Sequence, residues 1–175
     1  MRTERITSAK HPLYAQAMEV YRNSFPPHEQ WEAASQERIL HDSAYHFTAV
    51  YDGDVFVGLV LYWETEAYLY IEHFCILPSM RNRRYGQRTL ELLAACGKTL
   101  ILEIDPTTDG IARRRKAFYE RCGFAANPFP HVHPPYHAGN HGHALVIMTY
   151  PAPISRKQYD GFYRCLTGHV MKEVF

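Results

Sequence analysis

The stretch Ile71–Leu93, IEHFCILPSMRNRRYGQRTLELL, carries three signals in succession. An aromatic and branched run ending at Ile76 reads as a strand, and Pro78 closes it, since proline has no N–H for a sheet ladder. From Arg84 onward Leu90, Leu93 and Ala94 form an apolar helical stripe, and Gly97 supplies the stop. Between strand and helix, Arg81, Arg83, Arg84 and Arg88 crowd around Gly86. The first N–H groups of a helix lack intrahelical partners and point outward, so this arrangement is an anion site. A side chain at Gly86 would hold the backbone away from phosphate oxygens, and the arginines add attraction and forked contacts.

That site has to be local. The 175 residues carry a formal charge of +1, which gives no global field toward nucleic acid or an anionic membrane. The length suits one domain, 1–175, with its own hydrophobic core. The longest apolar run, VFVGLVLYW at 55–63, is too short to span a bilayer, and the N-terminus has no apolar signal core. Cys75, Cys96, Cys122 and Cys165 are scattered without a CxxC pair and read as reduced thiols of a cytoplasmic protein.

Upstream, 11–24 has helical spacing and ends at a proline pair, and 28–42 reads as a second, broken helix. Two runs of β-formers at 45–51 and 55–64 flank Asp52-Gly53-Asp54, a hairpin signal. Downstream come a strand at TLILEID, a helix ending at Gly123, a loop rich in histidine and proline, and the strand ALVIMTY. An amphipathic helix at about 155–175 places Tyr159, Phe162, Tyr163, Leu166 and Val170 on one face. The fold expected is α/β, one mixed and mostly antiparallel sheet with helices on both faces. The last helix either caps the core or joins two subunits in a homodimer.

Two segments together resemble the GNAT superfamily of N-acetyltransferases. IEHFCILPSMRNRRYGQRTLELL resembles its acyl-CoA-binding motif, a strand followed by R/Q-x-x-G-x-G/A and a helix, and LILEIDPTTDGIARRRKAFYERCGF resembles its second motif. The resemblance implies the GNAT fold and acetyl-CoA as co-substrate. It implies that Arg81, Asn82, Arg83, Arg84, Tyr85, Gly86 and Gln87 hold the pyrophosphate, and that the backbone of Phe74, Cys75 and Ile76 pairs with pantetheine. Arg84 stands where the motif has its first glycine, and Ala112 lies near the position of an asparagine often found in the second motif.

Acyl transfer needs a deprotonated amine and a proton donor for the departing thiolate. Tyr119 matches the family's general acid. Glu72 and Glu103, each interrupting an apolar strand, compete for the role of base, with raised pKa values expected from such surroundings. Strand alternation puts Glu72 on one face with Tyr70, Phe74 and Ile76, and His73 on the other as a hydrogen-bonded core residue. In FPHVHPPYHAGNHGHAL, His131, His133, His137, His141 and His143 lack an accompanying acid or thiol, so no metal is expected. Tyr136 in that loop, with Phe25 and Trp31 between the first helices, is expected to border the acceptor. The expected partner is a small-molecule or peptide amine, acetylated by direct attack. A catalytically silent acyl-CoA sensor of the same fold is the rival.

Overall fold

The computed structural model describes residues 1–174. Nine strands and five α-helices follow one another as β1 (Arg2–Ile6), α1 (Tyr14–Ser24), α2 (Ala33–Ile39), β2 (Tyr45–Asp52), β3 (Val55–Glu64), β4 (Tyr68–Ile76), α3 (Tyr85–Ala94), β5 (Thr99–Ile104), α4 (Gly110–Arg121), β6 (Ala125–Ala126), β7 (Val132–His133), β8 (His143–Ala144), β9 (Val146–Tyr150) and α5 (Arg156–Gly168). Seven strands make one sheet in the order β1-β2-β3-β4-β5-β9-β6. All its neighbours are antiparallel except β4 and β5. The histidine-rich loop is not wholly irregular, since β7 and β8 pair across it as a separate ribbon.

The sheet has two cores because its strands alternate sides. On one face, Ala17, Met18 and Tyr21 of α1, Ile39 of α2, and Tyr159, Phe162 and Leu166 of α5 pack over Phe47, Leu59, Leu61 and Tyr70. On the other, Leu90 and Leu93 of α3 and Tyr119 of α4 cover Val60, Leu69, Ile71 and Leu102. The apolar face of α5, with Val170 beyond it, is therefore buried in its own core. Ser155 starts this helix with a capping box to Gln158. At the first hairpin, Gly53 has φ +58, which explains the glycine in the turn.

β1 has no counterpart in the sequence reading. Only Ile6 in it is buried, and it gains its place as an edge strand through main-chain pairing with β2.

Candidate active site

The sheet opens beside β4. Strands β4 and β5 pair only from Tyr68–Thr99 to Ile71–Leu102, so β4 beyond Ile71 has no partner on that side. On the other side, Tyr62 pairs with Ile71 and Leu61 with His73, which leaves Glu72 as the extra residue of a β-bulge. The bulge breaks the alternation expected from sequence. Glu72 shares its face with Tyr70 as expected, but His73 turns to that same face, against Tyr21 and Phe25. Phe74 passes to the opposite core, and Ile76 lies beside Gly86 of α3. His73 is nevertheless the hydrogen-bonded core histidine expected, its Nε2 2.7 Å from the carbonyl oxygen of Glu29.

A cleft of about 1470 Å³ runs through the opening, larger than the roughly 300–1,000 Å³ usual for one small ligand. Phe74, Cys75, Ile76, Arg81, Asn82, Arg84, Tyr85, Gly86 and Gln87 line one end of it. Arg83 is exposed but does not line it. Asn82 and Arg84 have φ of +61 and +62, the left-handed region that glycine enters most easily. Arg84 thus adopts a glycine-like conformation where the resembled motif has glycine. A Cβ on Gly86 would come 3.0 Å from Cζ of Phe118, so this glycine also admits α4 against α3. Arg88 is engaged elsewhere, in a forked contact with Asp52 at 3.1 and 2.9 Å.

Tyr119, from α4, reaches the same cleft. Its ring packs edge-on against Phe118 and Phe124, and its hydroxyl has no hydrogen-bond partner among the described residues. Burial pushes the phenol up to about 12, against a smaller opposing effect of Arg115.

Both candidate residues line the cleft, but their carboxylates sit in different company. The Glu72 side chain has 0% exposure, so what the residue exposes is its backbone at the bulge. Oε1 accepts from Trp31 Nε1 at 2.8 Å and from the Tyr136 hydroxyl at 2.9 Å, and Oε2 accepts from Trp63 Nε1 at 3.0 Å. Glu103, with 8% side-chain exposure, accepts from the Tyr70 hydroxyl at 2.5 Å, bonds His131 Nε2 through a short contact, and has His133 Nε2 at 3.8 Å. Burial pushes Glu103 up, but His133, His131 and Tyr70 outweigh it and leave the carboxyl below its ordinary range. This reverses the raised value expected for Glu103 from its apolar strand.

Donor counting fixes the imidazoles. The Tyr159 hydroxyl gives its hydrogen to the Pro130 carbonyl at 3.0 Å, so His131 Nδ1, 3.1 Å away, donates to it. A proton must then lie between His131 Nε2 and Glu103. His133 donates Nδ1–H to the Pro134 carbonyl at 2.6 Å.

Of the expected acceptor contacts, Phe25 and Tyr136 line the cleft. Trp31 does not; it is buried, edge-on to Tyr136 with centroids 5.7 Å apart, and supports the wall from behind. The sequence reading missed Trp63, Tyr70, and the link of His131 and His133 to Glu103. The H-x-H spacing of the last two, which places both on one side of an extended segment, was the available signal.

The profile of the Acetyltransferase (GNAT) family matches residues 11–124, and the chain belongs to that family. A structure from Bacteroides thetaiotaomicron assigned to the GNAT family is 30% identical, superposes with a TM-score of 0.90, and covers 97% of this chain and 98% of its own. An aminoglycoside 6'-N-acetyltransferase complexed with coenzyme A, 17% identical, gives a TM-score of 0.60 over 89% of this chain and 99% of its own. The ribosomal-protein-S18-alanine N-acetyltransferase from Escherichia coli, 15% identical, gives 0.56 over 88% and 95%. No curated protein matches the chain at significant similarity. No helix among the described residues is long and apolar enough to cross a membrane.

Proposed function

We propose that this protein transfers the acetyl group of acetyl-CoA to a primary amine of a small molecule or peptide by direct attack. The observation that carries the reading is the unpartnered Tyr119 hydroxyl, held in the same cleft as the arginine loop and the opened edge of β4. Relatives of the same fold that act on an aminoglycoside and on a protein's alanine frame the class of amine.

The chain's residues fit the co-substrate. The α3 N-terminus offers free amides from Tyr85, Gly86 and Gln87, its cap position Arg84 provides no side-chain cap that would occupy them, and Arg81 and Arg84 bring charge to the loop. The exposed backbone at the end of β4 offers pairing groups to pantetheine. Acetyl-CoA supplies an activated acetyl thioester, whose carbonyl the amine attacks and whose thiolate departs. Tyr119 donates a proton to that sulfur, since its buried phenol keeps its hydrogen at neutral pH. Glu103, beside His131 and His133, accepts the amine's proton through a water, because its side chain keeps 8% exposure where that of Glu72 has none. Glu72 is a positioning residue, holding Tyr136 at the acceptor wall.

The test is release of free thiol from acetyl-CoA across a panel of amines, with acetylated product confirmed by mass spectrometry. Turnover with at least one primary amine supports the reading. Binding of acetyl-CoA without turnover on any amine would replace it with the silent sensor.

A further inference from the structure

The turn at Pro27–Glu29 and strand β8 face each other across the mouth of the cleft, and both contribute lining residues. Ligand atoms of His28, Glu29 and His143 all lie within 4.8 Å of one another there, the one such trio among the described residues. Two imidazoles and a carboxylate form a donor set that suits zinc, and three protein ligands leave a position open to water. Nothing in the acetyl-transfer scheme uses these three side chains.

The trio is held from behind. His73 Nε2 binds the Glu29 carbonyl at 2.7 Å and His137 Nε2 binds the Pro27 carbonyl at 2.9 Å, so the turn is tied both to β4 and to the histidine loop. The His28 and His143 rings stand 6.4 Å apart between centroids. Asp105 Oδ1 lies 3.6 Å from His143 Nε2, a further carboxylate beside the trio. Tetrahedral zinc needs ligand atoms about 3.3–3.6 Å apart, given bond lengths near 2.0–2.2 Å, so small rotations at the side-chain ends suffice. The site is empty.

We propose that His28, Glu29 and His143 form a zinc-binding site that staples the two walls of the acceptor mouth. Bound zinc joins the turn before α2 to β8 and narrows the path by which the amine enters, while the arginine loop stays open. The binding claim stands on the trio alone; its effect on catalysis rests on the acetyl-transfer reading.

The experiment is calorimetric titration of the purified protein with zinc chloride, for the wild type and for His28→Ala, His143→Ala, Glu29→Gln and His141→Ala. His141 is an exposed histidine of the same loop outside the trio. We expect one equivalent bound by the wild type and by His141→Ala, and affinity reduced more than roughly tenfold in each variant of the trio. Circular dichroism of each variant checks that the fold is kept; His28 is exposed, so its removal disturbs no packing. No binding to the wild type, or equal binding by His28→Ala and His143→Ala, overturns the site. With an active amine in hand, zinc raises KM for that amine and leaves the affinity for acetyl-CoA unchanged. Loss of acetyl-CoA affinity with zinc would place the ion elsewhere. Because the titration needs no turnover, failure of the zinc site and failure of the acetyl-transfer reading are separable.

Discussion

Glu72 and His73 are adjacent in sequence yet stand on the same face of β4, both reaching Tyr136. The bulge that does this gives Glu72 no opposite number on β3 and lets Phe74 and Ile76 cross to the α3 side. One extra residue thus aims a buried carboxylate and a buried imidazole at the acceptor wall, and frees the next residues to meet a ligand edge-on.

Glu72→Gln should destabilise the fold. Its carboxylate accepts from two indoles and a phenol, and an amide nitrogen placed there faces at least one donor. The expected loss is roughly 2–4 kcal/mol in urea unfolding. A red shift in the emission of Trp31 and Trp63 would accompany it.

Tyr119→Phe should separate catalysis from folding and binding. The hydroxyl has no hydrogen-bond partner among the described residues, so the thermal midpoint and the affinity for acetyl-CoA should stay close to wild type. Turnover should fall by roughly 10²–10⁴. An equal loss of affinity and turnover would remove Tyr119 from the acid role.

Gly58→Ala tests how the open end of β4 is held. A Cβ at Gly58 would lie 2.2 Å from the Cys75 carbonyl oxygen, a backbone atom with no room to rotate away. The strands must part at the Gly58–Ile76 pair, at a cost of about 3 kcal/mol. Weaker acetyl-CoA binding should follow, since Cys75 and Ile76 line that end of the cleft.

Stability should fall as the solution is acidified, in two stages. Burial lowers His73 from its ordinary 6.5, so the unfolded chain takes up its proton first and stability is lost as pH drops below that value. His46, half-buried, is lowered in the same direction by burial and adds to this limb. Glu103 lies below its ordinary 4.5 despite burial, so its contribution is complete above 4.5 and is lost as pH falls through its folded value. Denaturation midpoints measured across pH should flatten in the upper limb for His73→Gln and in the lower limb for Glu103→Gln. An unchanged profile in either variant would remove that residue from the account.

What the sequence disclosed follows from how local each signal is. The β2–β3 hairpin, the strand of Glu72, and α3 through α5 are written in short-range patterns, with Gly53, Gly97 and Gly123 at positive φ where turns and helix ends need them. The arginine loop was legible for the same reason, as was the pairing of Tyr119 with it through two ordered motifs. β1 was not, because its hydrogen bonds come from β2, some forty residues on, and four of its five side chains are not buried. The bulge at Glu72 was hidden because a register shift belongs to a strand pair, not to one strand. Alternation therefore assigned Phe74, Ile76 and His73 to the wrong sides. The histidine loop was misjudged on one point: His131 and His133 do have an acid beside them, but Glu103 comes from a strand nearly thirty residues earlier.

The most direct test that this cleft holds acetyl-CoA, on which the account rests, is calorimetric titration with acetyl-CoA of the wild type and of Arg84→Glu. Arg84 is exposed, and its one side-chain hydrogen bond among the described residues is a 3.4 Å contact to Gln87, so the exchange alters charge at the loop without touching the core. Micromolar binding by the wild type, weakened more than roughly tenfold in the variant, is the result expected of a pyrophosphate held at the start of α3. No binding by the wild type, or equal binding by both, would contradict it.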